Sequence, residues 1–272
     1  MTVRQALAQS GLVPVDAQVL LAHVLSRDRG WLIAHAADRL ADDDADAFLA
    51  LARRRRDGEP VAYLTGRREF WGLDLVVDRA VLIPRPETET LVECVLQKLP
   101  IGRQTRLLDL GTGSGAIALA IARERPLAAL WATDRSRAAL DVARANAQRL
   151  ELRSVNWVES DWYRDLPREI ARFDVIASNP PYVAVGDPYL REGDLPFEPA
   201  SALTSGADGL DALRTIVAGA PERLLPGGAL VVEHGHDQAG AVRELLRDAG
   251  FSDLASLRDL AGIARVAAGR FG

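Results

Sequence analysis

Cysteine is almost absent. Cys94 stands alone, which excludes a disulfide framework and a cysteine-built zinc site. No apolar run reaches the roughly 20 residues that a membrane-spanning helix needs. The opening MTVRQALAQSG has no apolar leader core, so the chain reads as cytoplasmic, with no membrane partner. A basic surplus is missing as well: 33 Lys and Arg stand against 38 Asp and Glu, a formal net charge of -5. Proteins that live on nucleic-acid phosphates usually carry the opposite balance. What remains is ordinary globular composition, 48% apolar and 26% charged, over 272 residues. That length suits one large domain or two modest ones. Cys94 falls in an apolar helical pattern and reads as a core thiol. There are no repeats and no low-complexity tracts.

The first part of the chain reads as helical. VDAQVLLAHVLSRD places Leu20, Leu21, Val24 and Leu25 on one face. DADAFLALARRRRDG begins with acids, ends with Arg53 to Arg56 and stops at Gly58, in the order that the helix dipole favours. Because Asp42, Asp43, Asp44 and Asp46 lie just upstream, the arginine run reads as a solvated helix end rather than a nucleic-acid patch. VAYLTGRREFWGLDLVVD is rich in β-formers, with Gly66 and Gly72 as turn residues, and reads as a β-hairpin linker. The expected boundaries are a helical domain over 1–58, the linker over 59–83 and a larger domain over 84–272.

From Thr105 onward strands and helices alternate, from RLLDL, SGAIALAIARE and AALWATD through to GGALVVEH and QAGAVRELLRDAG. Such alternation predicts an α/β fold, a doubly wound and mostly parallel sheet. The tail FSDLASLRDLAGIARVAAG predicts two further strands, an antiparallel pair at one edge.

The strand endings carry the chemistry. The first runs into Gly111, Thr112, Gly113, Ser114 and Gly115, a glycine-rich turn that opens a helix and permits close approach of a ligand to its N–H groups. A tight turn with no ligand is the plain alternative, and the spacing is not that of a dinucleotide site. The second strand ends in Asp134, about 20 residues on, where an acid commonly accepts from ribose hydroxyls; helix capping is the alternative, and Ser136 can do that instead. The third ends in Asp161 and Trp162, suited to the amine and the face of an adenine, although a lone Trp also serves a core. The fourth runs into SNPPY, Ser178 to Tyr182. Two prolines forbid both strand and helix there, so the segment is a rigid turn or a rigid clamp. In open α/β sheets ligands bind beyond the carboxyl ends of the strands. Four such endings on one edge are far more specific than any one of them.

DLGTGSG, the strand-ending Asp134, SDW and NPPY together resemble the S-adenosylmethionine (SAM)-dependent methyltransferases that act on planar nitrogens. The flanking EPVAYLTGRREFWGLDLVVDRAVLIPRPETETLVE and FEPASALTSGADGLDALRTI closely resemble the release factor glutamine methyltransferases, the PrmC/HemK family, from Glu59 to the C-terminus. The resemblance implies a Rossmann-like class I sheet with a small helical N-terminal domain that recognises the substrate. It implies methyl transfer from SAM, leaving S-adenosylhomocysteine, to N(5) of the glutamine in the GGQ motif of bacterial class 1 peptide chain release factors, which modulates translation termination. It implies cofactor contacts by Gly111 to Gly115, Asp134, Asp161, Trp162 and Asn179, and catalysis by Asn179, Pro180 and Tyr182. Substrate contacts would come from Asn179, Pro180, Pro181 and Tyr182, with Arg85 and Glu89 near the pocket mouth. No metal is expected. PRPETE separates the chain from a sister family that methylates a ribosomal-protein glutamine. Pro196 departs from the basic residue of many relatives. A nucleic-acid amino-group methyltransferase and an inert SAM-binding scaffold are the competing readings; the acidic balance weighs against the first, and the intact NPPY and glycine loop against the second.

Overall fold

The computed structural model describes residues 1–167, 170 and 172–272, which divide into two compact units. The first comprises Met1–Arg67 with Arg191–Phe197. Its helices are α1 (Val3–Gln9), α2 (Pro14–Leu25), α3 (Arg29–Ala34), α4 (Asp42–Arg56) and α5 (Val61–Thr65). Thr2 and Gln5 form a capping box at the start of α1, satisfying two otherwise unpaired backbone donors. Val3, Leu20, Leu21, Leu32, Phe48 and Leu64 make the core.

Two expectations change here. The arginine run is more than a solvated end. Arg54 forks onto Glu59 at 2.7 and 2.8 Å, Arg55 joins Asp16 at 2.8 Å and Asp194 at 3.0 Å, and Arg56 donates to the Ser10 carbonyl. And VAYLT is helical, not extended: Pro60 presets the entry at φ -57 and Gly66 closes the turn at φ 68. These local stop signals outweigh the β-branched and aromatic content between them. The hairpin is confined to β1 (Arg67–Phe70) and β2 (Leu73–Val76).

The second unit comprises Arg68–Leu190 and Glu198–Gly272. A 3₁₀ turn at Pro86–Thr88 leads into α6 (Glu89–Lys98). Then follow β3 (Arg106–Leu110), α7 (Ala116–Glu124), β4 (Ala129–Asp134), α8 (Arg137–Arg149), β5 (Val155–Glu159) and β6 (Phe173–Ser178). After α9 (Ala200–Leu203) come α10 (Asp211–Arg223), β7 (Leu224–Glu233), α11 (Ala239–Asp248), β8 (Phe251–Arg258) and β9 (Ala264–Phe271). The seven strands β3 to β9 form one sheet in the order β5-β4-β3-β6-β7-β9-β8. Strands β3 to β7 pair in parallel, and β9 lies antiparallel to both β7 and β8, the predicted edge pair.

Both faces of the central strands are buried. Leu107 of β3 packs with α6 and α7, while Leu108 and Leu110 pack with α10 and α11, the two-residue period of a strand. Cover on both sides is why these strands read as continuous apolar runs. Cys94 is one of the α6 core residues, and burial pushes its thiol pKa up. Having laid β4 and β5 to one side of β3, the chain returns to place β6 on the other. The carboxyl ends of β3 and β6 therefore flank a switch point, where an open α/β sheet forms its ligand crevice.

Candidate active site

A cavity of about 350 Å³ opens in the second unit, within the range of small-molecule sites. The turn after β3 forms its floor. Gly111 has φ 70, and a Cβ there would stand 3.4 Å from the edge of the Trp162 ring. The turn is held from several sides. The Thr112 N–H donates to the Thr133 carbonyl at 2.8 Å, and its hydroxyl donates to Asp109 Oδ2 at 2.6 Å. The Gly113 N–H donates to Asp134 Oδ2 at 3.0 Å. Buried Asn146 donates to the Ser114 carbonyl at 3.0 Å while exchanging two hydrogen bonds with Val76 of the hairpin.

Asp134 Oδ1 accepts from the Ser136 N–H at 2.8 Å, and Ser136 itself caps α8. The carboxylate is thus aimed by two backbone amides and lines the cavity with lone pairs to spare. Burial raises its pKa, and the Ser136 and Gly113 amides pull it back. Beyond β5, Ser160 ties the next turn by accepting from the Asp165 N–H and donating to the Trp162 carbonyl. Trp162 has φ 53. Both Asp161 and Trp162 line the cavity, and Asp161 also meets Arg164 at 3.3 Å.

At the end of β6 the Ser178 hydroxyl donates to the Leu110 carbonyl at 2.7 Å, locking the two strand ends together. Asn179 and Pro181 line the cavity. Asn179 Nδ2 donates to the Thr88 hydroxyl at 3.0 Å.

Several expected contacts differ. Gly115 does not line the cavity: a Cβ there would lie 3.1 to 3.2 Å from Leu119, Ala143 and Trp157, so its bareness serves helix packing. Pro180 is buried and does not line this cavity. The Tyr182 ring does not face the cavity either. Its hydroxyl donates to Glu233 Oε1 at 3.2 Å, and its carbonyl accepts from Gln238 Nε2 at 2.9 Å. These two bonds anchor the turn. Arg85 pairs with the buried carboxylate of Glu198, which also accepts from the Ile83 N–H, and Glu89 accepts from the Trp71 N–H. From that segment it is Pro84 and Thr88 that reach the cavity.

Two buried carboxyls stand out. Desolvation pushes Asp109 and Glu233 each up to about 7. A carboxyl whose pKa is raised by folding keeps its proton longer in the native state, so its contribution to stability falls as pH rises from about 4 to about 7. Asp109→Asn removes one such titration. Relative to wild type, the variant should gain up to about 1.4 kcal/mol per pH unit across that window. Urea unfolding at several pH values measures this, and parallel curves for the two proteins would refute it.

Two family models match, one described as the PrmC N-terminal domain over residues 2–66, the other as the methyltransferase small domain over residues 86–190. The release factor glutamine methyltransferase of Xylella fastidiosa strain Temecula1 is 56% identical over 265 residues, covering 97% of this chain and 96% of that one. The protein of the same name from Burkholderia pseudomallei strain K96243 is 53% identical over 274 residues, 99% of this chain and 96% of its own. The chain belongs to the release factor glutamine methyltransferase family. A methyltransferase from Pyrococcus furiosus shares the fold, with TM-score 0.56 at 19% identity over 81% of this chain and 97% of that one.

In this member of the release factor glutamine methyltransferase family, sequence reasoning missed part of the site. Thr88 was hidden within PRPETE, although a motif that distinguishes one family from its sister was a place to look. Glu233 ends the otherwise apolar GGALVVE, and an acid closing a buried strand was a usable signal. The cavity wall from Pro199 to Thr215 lies within FEPASALTSGADGLDALRTI, a stretch that pointed to the family, but none of its residues was given a role in the site. No helix among the described residues is long and apolar enough to cross a membrane.

Proposed function

We propose that this cavity binds SAM and that the protein transfers its methyl group to the side-chain nitrogen of the GGQ glutamine in class 1 peptide chain release factors. One observation carries the reading: Asn179 lines the same cavity as the Gly111 turn and Asp134, with its Nδ2 already committed to Thr88. Its Oδ1 is thereby left to accept from a planar –NH2. The residues fit the cofactor. Gly111 and Gly113 offer bare backbone, Asp134 has free lone pairs for ribose hydroxyls, and Asp161 and Trp162 suit an adenine. When bound, SAM supplies an already activated methyl group on a sulfonium.

The protein supplies orientation. An amide nitrogen is a poor nucleophile because its lone pair is delocalised. Asn179 Oδ1, accepting from one of its N–H bonds, orients the nitrogen and favours the positive charge that develops on it. The prolines that follow keep that oxygen from reorganising. To the helical unit, which carries no catalytic motif and exposes Val13, Val15 and Ile33, we assign the grip on the release factor. Ile33→Glu should then raise KM for that substrate and spare SAM affinity.

The deciding experiment offers labelled SAM with purified release factor, ribosomal protein and DNA in parallel. Label on the release-factor glutamine is expected; label on DNA or ribosomal protein alone would overturn the reading. Asp134→Ala should weaken SAM binding by about 1.5–3 kcal/mol, the range for hydrogen bonds to charged groups. Calorimetry showing unchanged affinity would take Asp134 out of the site.

A further inference from the structure

Prolines fix φ, but a stiff turn places Asn179 only if both of its ends are held to the scaffold. The near end is locked where the Ser178 hydroxyl meets the Leu110 carbonyl. Beyond the far end the chain pairs with the cavity wall. The Val183 N–H donates to the Leu203 carbonyl, the Ser205 N–H to the Val183 carbonyl and the Val185 N–H to the Gly206 carbonyl, each at 2.9 Å. Ser205 and Gly206 line the cavity. The end of NPPY and this stretch of wall are thus stitched into one piece. The Tyr182 hydroxyl moors that piece to Glu233, but only from the tip of a side chain. Its backbone is moored elsewhere.

Gln238 is that mooring. Helices commonly start on Ser, Thr, Asp or Asn, whose short side chains cap them. The residue at the start of α11 is Gln238, and its side chain does not cap the helix. It reaches across instead. Nε2 donates to the Tyr182 carbonyl at 2.9 Å and, at a longer 3.4 Å, to the Asp208 carbonyl. Oε1 accepts from the Gly235 N–H at 2.9 Å. All three partners are backbone groups, each a donor or an acceptor and never the other. They fix which end of the carboxamide points where. Two glycines keep its slot open: a Cβ at Gly209 would stand 2.7 Å from Nε2, and one at Gly235 would stand 3.0 Å from Oε1.

We propose that Gln238 is a positioning residue. It holds the end of NPPY and the Asp208 loop to the turn between β7 and α11, and through NPPY it sets where Asn179 meets the substrate nitrogen. Gln238 does not line the cavity, so it acts through the backbone that it holds. The inference rests on the reading of Asn179 as the acceptor for a planar nitrogen.

The test compares Gln238→Ala, Gln238→Glu, Asn179→Ala and the double variant Gln238→Ala with Asn179→Ala. It reads kcat and KM for release-factor methylation, calorimetric affinity for S-adenosylhomocysteine, and thermal stability. Gln238→Ala should lower kcat about 10-fold, short of the roughly 100-fold cost of a 1 Å misplacement, because the Tyr182 hydroxyl still holds. Gln238→Glu is nearly isosteric but sets an oxygen against two carbonyls. A carboxylate at the start of α11 suits the helix dipole, so this variant should keep its thermal stability and still lose kcat. In both, affinity for S-adenosylhomocysteine should fall less than kcat. Added to Asn179→Ala, Gln238→Ala should cost less than about twofold more, the non-additivity of residues that act as a unit. The full 10-fold loss again would overturn the proposal, since a general loosening of the fold acts whether or not Asn179 is present. Wild-type kcat in either single variant of Gln238 would overturn it too, as would stability, affinity and kcat falling in step. Should Gln238→Ala fail to fold, Gln238→Glu, alone and with Asn179→Ala, decides in the same way. Full activity in Asn179→Ala by itself is a different failure: it would sink the acceptor reading on which the proposal stands.

Discussion

Asn179→Ala should lower kcat for release-factor methylation by about 100- to 1,000-fold, or 2.7–4 kcal/mol, by analogy with the loss of one preorganised group in an oxyanion hole. The lost acceptor matters most as charge builds on the nitrogen, so the loss should appear in kcat. SAM affinity should change far less, because Gly111, Asp134 and Trp162 stand on other strand ends. Asn179→Asp is the sharper variant. It keeps oxygens in place but removes the donor to Thr88 and brings a negative charge to the cavity. Substantial turnover in Asn179→Asp would show that the acceptor alone suffices. Turnover as low as that of alanine would show that the neutral, correctly turned amide is needed. Single-turnover kinetics make the measurement, and a wild-type rate for Asn179→Ala would dismiss the clamp.

The features legible in the sequence were those with local causes. Glycines 111 and 113 announce a turn, Asp134 ends a strand, and the prolines of NPPY forbid regular structure wherever they occur. The alternation of apolar segments implied a two-faced sheet, and a sheet of that kind collects its strand ends at one edge. What escaped depended on partners far away in sequence. Asn179 meets Thr88 across 91 positions, and the Ile83 amide meets Glu198 across 115. No local pattern of charge or period records such pairings. Tyr182 shows the same limit differently. An aromatic after Asn-Pro-Pro suggests a lid on the substrate, yet its hydroxyl is drawn away by Glu233, whose position depends on how β7 lies beside β6. Gly115 sits in a glycine-rich turn, but its environment is the packing of α7 against α8 and β5. In the hairpin linker the error was one of weight: Pro60 and Gly66 are stronger local determinants than the β-formers between them.

Gly209→Ala should lower kcat about 100-fold, although residue 209 belongs to no catalytic motif. Gly209 has φ 78, a conformation that costs a side-chain-bearing residue about 1–2 kcal/mol. More decisive is its neighbour. A Cβ built there would stand 2.2 Å from the Tyr182 carbonyl oxygen and 2.7 Å from Gln238 Nε2. The first of these is backbone and cannot swing aside as a flexible side chain would. That carbonyl is also the acceptor of the Gln238 hydrogen bond that pins the end of NPPY. A methyl group at 209 must therefore push Tyr182 back by roughly 1 Å, and the prolines transmit the shift to Asn179. A misplacement of that size is worth on the order of 100-fold in rate. Binding of SAM should change less than kcat, since the Gly111 turn and Asp134 are held by hydrogen bonds that do not involve this segment, although Gly206 and Asp211 on either side of it line the cavity. Gly240→Ala is the control, a helical glycine with nothing within 4 Å of its would-be Cβ. It should keep full activity and gain stability, as alanine is the better helix former by about 1 kcal/mol. Wild-type kcat in Gly209→Ala would mean that the turn yields without moving Asn179, and that the rigidity ascribed to NPPY resides in its prolines alone.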